Sequence, residues 1–411
     1  MASKTTCRNN QVLKQFLRGL LFRGLAVACS ALVFGILLEI AVRLFVPSSL
    51  HGFRDRSTDW QPHPRLGWVQ KPNLDVATQE DGGMVVRYQT NSDGLTPATA
   101  QRTKQAEIVR VMIFGDSGVV GRAVPQDKTI HAYLQKQLQQ KGLNAEVINA
   151  GVEGYSTDQE LIRMEELVPL YRPDIVLLEV CNNDFAGNEA RTAHRLNKPR
   201  FNLAEDGSLE EIVPEMNDRV PTFRPWRSRW LYYSAAYRLL SPRLQVLRAR
   251  FGDSRARNLV GLPLDLYYQP AADQIDWKLF RALLLRMKEY CQHGRSSFIL
   301  YAHPHVEEVW DPFVNDMIQT LRIEPESYNR YALEERLQAI TSQIGLDFCP
   351  LVNYFVKRQD RGPFHLLPRD PHCNPAGYEL TAEALAEYMA NKGILMRATR
   401  DRGHERRLKT S

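Results

Sequence analysis

The chain has 411 residues, 44% of them hydrophobic and 24% charged, and it carries a net charge of +6. This length allows a single sizeable hydrophobic core. The basic balance does not indicate nucleic-acid binding, because it comes from the two ends: residues 1–23 and 392–411 carry +5 each, which leaves −4 for the body between them. We therefore expect no nucleic-acid partner, and we interpret the C-terminal tail as a solvated charged end.

The first predicted element in chain order is a transmembrane helix. The stretch from Gly24 to Val46 is apolar except for Glu39 and Arg43, whose i, i+4 spacing allows an ion pair. As a helix it would measure about 34 Å, enough for a hydrocarbon core of about 30 Å. No small-x-small cleavage site follows it, which favours an uncleaved anchor over a signal peptide.

Charge predicts the orientation of this anchor. Residues 1–23 contain five basic residues and no acidic one, so the N-terminus should stay in the cytoplasm. The protein would then cross the inner (cytoplasmic) membrane once, and its body would be periplasmic or extracellular.

The most informative segment is a buried strand that ends in a serine turn. The run Ile108 to Phe114 is almost entirely β-branched, apolar or aromatic, and Gly115-Asp116-Ser117 follows it. A serine placed after the carboxyl end of a parallel strand lies where open α/β sheets bind their ligands. The second Gly-Asp-Ser, ending at Ser254, follows charged residues, so it should not carry the same function.

Three later segments end in small or polar residues in the same way. The strand starting at Ala145 leads into a glycine-rich turn that contains Gly154, and the strand from Asp174 to Cys181 leads into Asn183. Near the C-terminus, Asp370-Pro371-His372 precedes a helix. Parallel strands would bring these residues to one edge of the sheet.

These four segments, in this order, resemble the four blocks of the SGNH hydrolases, also called the GDSL esterase/lipase superfamily, over roughly residues 108–389. The resemblance implies that Ser117 is the nucleophile and His372 the general base, with Asp370 as the acid that orients it. It also implies an oxyanion hole made by the backbone N–H groups of Ser117 and Gly154 and by the side chain of Asn183. Asp116 is expected to be a hydrogen-bonded turn residue.

The last block departs from the commonest pattern of the superfamily. That pattern has the acid three residues before the histidine, where this chain has Arg369; Asp370 stands two before. This spacing resembles membrane-anchored bacterial members, and residues 51–106 resemble their lead-in segment. If Asp370 points away, a backbone carbonyl could orient His372 and leave a Ser–His dyad.

The predicted fold is α/β: a three-layer α/β/α sandwich with a mostly parallel, flavodoxin-like sheet, in addition to the N-terminal transmembrane helix. The predicted division of the chain is 1–50 (cytoplasmic end and anchor), 51–106 (lead-in), 107–391 (hydrolase-like domain with a helical insertion at about 186–272) and 392–411 (basic tail). Strands are expected near 108, 146, 175, 297 and 346. Helices are expected near 129–141, 158–170, 274–292, 329–344 and 377–391.

The expected function is a membrane-anchored serine ester hydrolase that acts on an O-acyl ester, such as an O-acetyl glycan or a lipid, through an acyl-enzyme. An O-acyltransferase that modifies an envelope polysaccharide would use the same residues, and a non-catalytic binding protein is the third alternative. No cofactor and no metal site are expected: His303 and His305 have metal-ligand chemistry, but no third ligand stands at a sensible spacing. The cysteines show no metal-binding spacing and are expected to be buried free thiols.

Overall fold

A computed structural model of the protein describes residues 2–46, 59–79, 85–105, 107–194, 196–216, 234–237, 239–240, 276–366 and 372–399. Three features singled out in the sequence lie outside these residues: Ser254, Asp370 and the tail beyond residue 399.

The strands in chain order are β1 (Trp60–His63), β2 (Gly67–Gln70), β3 (Asp75–Gln79), β4 (Val85–Gln89), β5 (Val109–Phe114), β6 (Ala145–Asn149), β7 (Ile175–Val180), β8 (Thr192–Ala193), β9 (Leu196–Asn197), β10 (Arg200–Leu203), β11 (Leu209–Ile212), β12 (Ser297–Ala302) and β13 (Asp347–Cys349). The helices are α1 (Ala2–Phe45), α2 (Ser117–Val120), α3 (Ile130–Gln140), α4 (Thr157–Tyr171), α5 (Asp184–Glu189), α6 (Trp277–His293), α7 (Val306–Val309), α8 (Asp311–Leu321), α9 (Ala332–Ile344), α10 (Val352–Val356) and α11 (Pro375–Asn391).

A five-stranded parallel sheet forms the centre of the body, in the order β13-β12-β7-β5-β6. All five strands predicted from apolar runs are present in it, and the five predicted helices are present as α3, α4, α6, α9 and α11. Beyond β5 the sheet continues with β6, and beyond β7 it continues in the other direction with β12 and β13. The crevice between β5 and β7 is a topological switch point, where open α/β sheets bind ligands.

Alternation along the strands produces the three layers. Val111 and Ile113 of β5 pack into one buried cluster with α3 and α11, whereas Met112 and Phe114 pack into a second cluster with α4, α6 and α9. Because successive side chains of a strand point to opposite faces, a strand that is apolar throughout needs helices on both sides. The predicted α/β/α sandwich is confirmed.

The lead-in segment forms two antiparallel hairpins, β1–β2 and β3–β4, outside the main sheet. Trp60 and Trp68 are almost completely buried in the core of the body. The indole N–H of Trp68 donates to the carbonyl of Glu153 over 3.1 Å, and the Tyr155 hydroxyl donates back to the Trp68 carbonyl. The first hairpin therefore holds the loop that follows β6.

The first part of the insertion differs from the prediction. Residues 192–212 form two short antiparallel hairpins, β8–β9 and β10–β11, instead of helices. The second has the turn Asp206-Gly207, with Gly207 at φ +83°, and its strand residues Phe201 and Leu203 alternate with polar ones. This period of two favours a strand over a helix. Further along the chain, residues 235–237 and 239–240 are helical.

The N-terminal helix α1 contains a 25-residue stretch, Leu21–Phe45, that is long and apolar enough to cross a bilayer. Its large apolar side chains are mostly exposed, for example Leu32 and Phe34. Near its end the Arg43 guanidinium donates to the Glu39 carboxylate over 2.7 Å, so the predicted i, i+4 pair is present.

Candidate active site

Ser117 is the first residue of α2, immediately after the turn that ends β5. The Asp116 carboxylate caps this helix by accepting from the backbone N–H of Gly118 over 3.0 Å, as expected for a turn residue. Ser117 itself is half-buried, just beyond the carboxyl end of β5. The serine hydroxyl is thus held on a short, capped turn.

His372 reaches Ser117 from the other end of the sequence. Its Nε2 lies 2.7 Å from the Ser117 Oγ, close enough to accept the hydroxyl proton. The histidine is positioned by strand-like pairing, because its carbonyl accepts from the N–H of Leu366 and the next residue, Cys373, pairs with His365. Helix α11 follows and is tied to the nucleophile turn, since the Tyr378 hydroxyl donates to the Gly118 carbonyl over 2.9 Å.

Asn183 lies beside the nucleophile turn, on the loop after β7. Its side-chain amide donates to the Asp116 carboxylate over 3.0 Å. The same carboxylate accepts from the Cys181 thiol at 3.1 Å as well as from Gly118. Asp116 therefore orients the predicted oxyanion-hole amide as well as capping α2, a role that sequence reasoning did not assign to it.

Gly154 lies on the neighbouring loop after β6, which is fixed to the nucleophile turn because the N–H of Val152 donates to the Gly115 carbonyl over 3.0 Å. Gly154 has φ +75°, and a Cβ built on it would lie 1.8 Å from Nε2 of His194. Only glycine meets both the conformational and the spatial requirement at this position. The prediction of a backbone donor here is consistent with a residue that has no side chain.

His194 is a second residue that sequence reasoning missed. It lies in the turn between β8 and β9 with φ +50°, and its ring packs edge-on against Trp68 at 5.8 Å between centroids. Burial lowers its pKa, which favours the neutral imidazole. No motif marks it in the sequence, because only the hairpin of the insertion brings it to Gly154.

Buried acids lie beneath the Asn183 loop. The pKa of Asp184 is raised well above its ordinary value by burial and by the nearby Asp116 carboxylate, and that of Glu160 is raised by burial and by Asp184. Both groups therefore favour the uncharged form, which reduces the repulsion that an oxyanion above them would meet. Asp184 also ties down its own loop, since its carboxylate accepts from the N–H of Cys181.

The structure thus brings together Ser117, His372, Asn183 and Gly154, four of the five predicted site residues, along one edge of the sheet. The fifth, Asp370, lies outside the described residues, so its relation to His372 stays a prediction. A polarised hydroxyl beside several N–H donors can attack a carbonyl carbon and stabilise the resulting oxyanion.

Comparison with known proteins agrees with this chemistry. The family model described as GDSL-like Lipase/Acylhydrolase matches residues 113–380, the segment that contains these four residues. An arylesterase of Vibrio mimicus is 32% identical over 75 residues, which cover 18% of this chain and only 38% of that relative.

Solved structures with similarity to the chain include TesA (13% identity, TM-score 0.35, covering 68% of this chain and 97% of that one) and the acetyl xylan esterase AlAXEase (15%, 0.37, 68% and 98%). The esterase EstA of Pseudoalteromonas sp. is 11% identical, with a TM-score of 0.34 and coverage of 69% and 97%.

Proposed function

This chain belongs to the GDSL-like lipase/acylhydrolase family, and we propose that it is a serine ester hydrolase with Ser117 as its nucleophile. The observation that carries the proposal is the 2.7 Å contact between the Ser117 Oγ and the His372 Nε2. A serine hydroxyl is a weak nucleophile until a base takes its proton, and this contact provides the base.

The reaction would proceed through an acyl-enzyme. His372 accepts the hydroxyl proton as the Ser117 Oγ attacks the ester carbonyl, and the negative charge collects on the carbonyl oxygen. The N–H groups of Ser117 and Gly154 and the amide of Asn183 stabilise that charge. His372 then protonates the leaving alcohol, and the acyl-enzyme remains. In the second half of the reaction His372 takes a proton from a water molecule as that water attacks the acyl carbon, and it returns the proton to the Ser117 Oγ as the acid departs.

His372 needs a partner on Nδ1 to keep its Nε2 free as an acceptor. We assign this role to Asp370, two residues earlier, as the resemblance implies. A backbone carbonyl is the alternative partner, in which case the site is a Ser–His dyad.

We propose that α1 is an uncleaved membrane anchor and that the body is outside the cytoplasm. The 25-residue apolar stretch of α1 supports the anchor. The basic residues before this stretch, with no acidic residue among them, support the orientation. The Glu39 carboxylate near the end of the stretch accepts from the Ser234 hydroxyl (2.7 Å) and from the N–H groups of Ala235 (2.9 Å) and Ala236 (3.0 Å). These contacts would hold part of the insertion close to the membrane surface.

An anchored hydrolase of this kind would act on an O-acyl ester in the cell envelope, either an O-acylated glycan or a lipid. If the acceptor is a sugar hydroxyl instead of water, the same residues make the protein an O-acyltransferase. Product analysis with an acyl donor, with and without candidate polysaccharides, separates the two: free acid indicates hydrolysis, and acylated glycan indicates transfer.

The assignment of the nucleophile is tested by comparing the serines of the two Gly-Asp-Ser tripeptides in the chain. We expect Ser117→Ala to abolish the hydrolysis of p-nitrophenyl esters and labelling by a fluorophosphonate probe. The matched control, Ser254→Ala, should retain both. Labelling that persists in the Ser117 variant would contradict the proposal.

The topology is tested by a reporter fused after Ser411. We expect alkaline phosphatase, which is active only after export, to be active in this fusion, and green fluorescent protein to be dark. A fluorescent fusion with inactive phosphatase would place the C-terminus in the cytoplasm and overturn the orientation.

A further inference from the structure

A buried cluster of metal-ligand side chains lies directly behind the nucleophile turn. We propose that His303, His365 and Cys373 form a binding site for a divalent cation that prefers imidazole and thiolate ligands, such as Zn²⁺. One ligand atom from each of the three lies within 4.8 Å of the others. A second set, made by Glu179, Cys181 and His303, shares His303 and satisfies the same distance limit. A closed tetrahedral site takes four ligands, and Glu179 or Cys181 of the second set is the candidate for the fourth.

The cluster is buried and lies close to the catalytic turn. His303, His365 and Cys373 are at most 4% exposed. A Cβ built on Gly118 would lie 2.1 Å from the Glu179 Oε1 and 2.7 Å from the His303 Nδ1, so these two side chains pack against the residue after the nucleophile. Buried sites that exclude water are typical of structural cations, whereas a catalytic cation needs a position open to substrate.

The imidazole of His365 is oriented as a ligand would be. Its Nε2 lies 2.7 Å from the Pro304 carbonyl oxygen, and because a carbonyl can only accept, this nitrogen carries the hydrogen. The neutral ring then has its lone pair on Nδ1. Metal-ligating histidines are usually fixed in this way, by a hydrogen bond from the nitrogen that does not bind the metal.

His303 contributes a second buried ring nitrogen. Its Nδ1 lies 3.4 Å from the Glu179 Oε1, within ion-pair distance. The ring therefore lies between a carboxylate and the other two proposed ligands. His305, the other histidine of the sequence pair, is engaged elsewhere, because its Nε2 accepts from the N–H of Asn182 over 3.3 Å.

The charges of the cluster balance those of a divalent cation. The Glu179 carboxylate and a Cys373 thiolate supply two negative charges, and the imidazoles are neutral ligands. Binding would release the thiol proton of Cys373 to solvent. The charges of the cation and its ligands would thus cancel within the buried site.

The cation would act on the loop that carries the base. His365 and Cys373 are paired with each other across two short segments, and His372 and Asp370 lie between them in the sequence. A cation bound to both would close the base of this loop and hold the His372 Nε2 at the Ser117 Oγ. The cation is thereby assigned a positioning role, with no part in the bond-making steps.

The proposal is tested with full-length protein in detergent, dialysed against a chelator and then titrated with Co²⁺. We expect one Co²⁺ per chain and a thiolate-to-cobalt charge-transfer absorption. Cys373→Ser should abolish the absorption and His365→Gln should weaken binding at least tenfold. The matched control is Cys291→Ser, because Cys291 is also buried but lies against the Met164 sulfur, in the other core cluster.

Thermal unfolding gives a second measurement. Zn²⁺ should raise the melting temperature of the wild type and of the Cys291 variant, and leave that of Cys373→Ser unchanged. A wild type with no charge-transfer absorption, or an absorption that survives in a folded Cys373→Ser variant, overturns the proposal. If Cys373→Ser does not fold, His365→Gln and the wild type still decide the result. Neither measurement depends on ester hydrolysis, so the failure of this proposal and that of the proposed function are distinguishable.

Discussion

The contact between Gly154 and His194 allows a sharp test of the oxyanion loop. We expect Gly154→Ala to lose stability for two separate reasons. A non-glycine residue in the left-handed region costs about 1–2 kcal/mol, and Gly154 has φ +75°. The new methyl group would also lie 1.8 Å from the His194 Nε2, and relieving such an overlap typically costs a further 1–3 kcal/mol. The expected total is therefore about 2–5 kcal/mol.

Gly142 offers a matched control for the first cost. It has φ +81°, and a Cβ built on it meets nothing within 4 Å. Gly142→Ala should therefore lose only about 1–2 kcal/mol and should keep full activity, because residue 142 follows α3, away from the site. The difference between the two variants isolates the overlap with His194.

The assay is a double-mutant cycle on unfolding and on acylation by a fluorophosphonate probe. In the His194→Ala background, the stability cost of Gly154→Ala should fall to that of the control, which gives a coupling of about 1–3 kcal/mol. In the native background, displacement of the Gly154 N–H should slow acylation by roughly 10²–10³, the usual cost of losing one oxyanion donor. Equal costs in both backgrounds would refute the packing argument, and unchanged acylation would refute the role of Gly154.

Three further variants test neighbouring features. Asp116→Ala removes the carboxylate that holds the Asn183 amide. A hydrogen bond to a charged group contributes about 1.5–3 kcal/mol, so kcat should fall about 10- to 100-fold. The control is Asp206→Ala, which removes a similar cap from an exposed turn and should not change kcat. Asp370→Asn should lower turnover by roughly 10⁴ if its carboxylate orients His372, and a loss below about tenfold would favour the dyad. Burial lowers the pKa of His131 from 6.5 to about 4. Between these two values the unfolded chain binds a proton at this residue that the folded protein does not bind. Stability is therefore full above pH 6.5 and falls as the pH approaches 4. Denaturation curves should therefore show a loss of about 2 kcal/mol from this group between pH 7 and pH 5, and this part of the pH dependence should be absent in His131→Gln.

The sheet could be predicted because its strands are apolar on both faces. Val111 and Met112 point to opposite helical layers, and a run with no polar alternation fits only a strand covered on both sides. The carboxyl ends of parallel strands lie at one edge of a sheet. The approach of Asn183 to the Ser117 turn could therefore be predicted from the strands that precede these two residues. His372 follows no predicted strand, and only the resemblance assigned it to the site.

The remaining features depend on contacts that no local pattern encodes. His194 reaches Gly154 through a hairpin of the insertion, where helices were predicted, and Trp68 reaches the same loop from the lead-in. His365 lies beside the residues that follow β12, because its ring contacts the carbonyl of Pro304, which stands 61 positions earlier in the chain. Sequence spacing shows candidate ligands only when they are close in the chain, which is why the sequence offered only the pair His303 and His305 and led us to expect no metal site.

The three segments around Ser117 are all hydrogen-bonded to the nucleophile turn, among other contacts from Val152 to Gly115, from Asn183 to Asp116 and from Tyr378 to Gly118. The acceptors are three of the four consecutive residues 115–118, so a displacement of this turn would reach every donor of the oxyanion hole and the base together. Gly118 of this turn packs against the buried side chains of Glu179 and His303. The packing beneath Gly118 should therefore control the geometry of the whole site, although both of these side chains are buried.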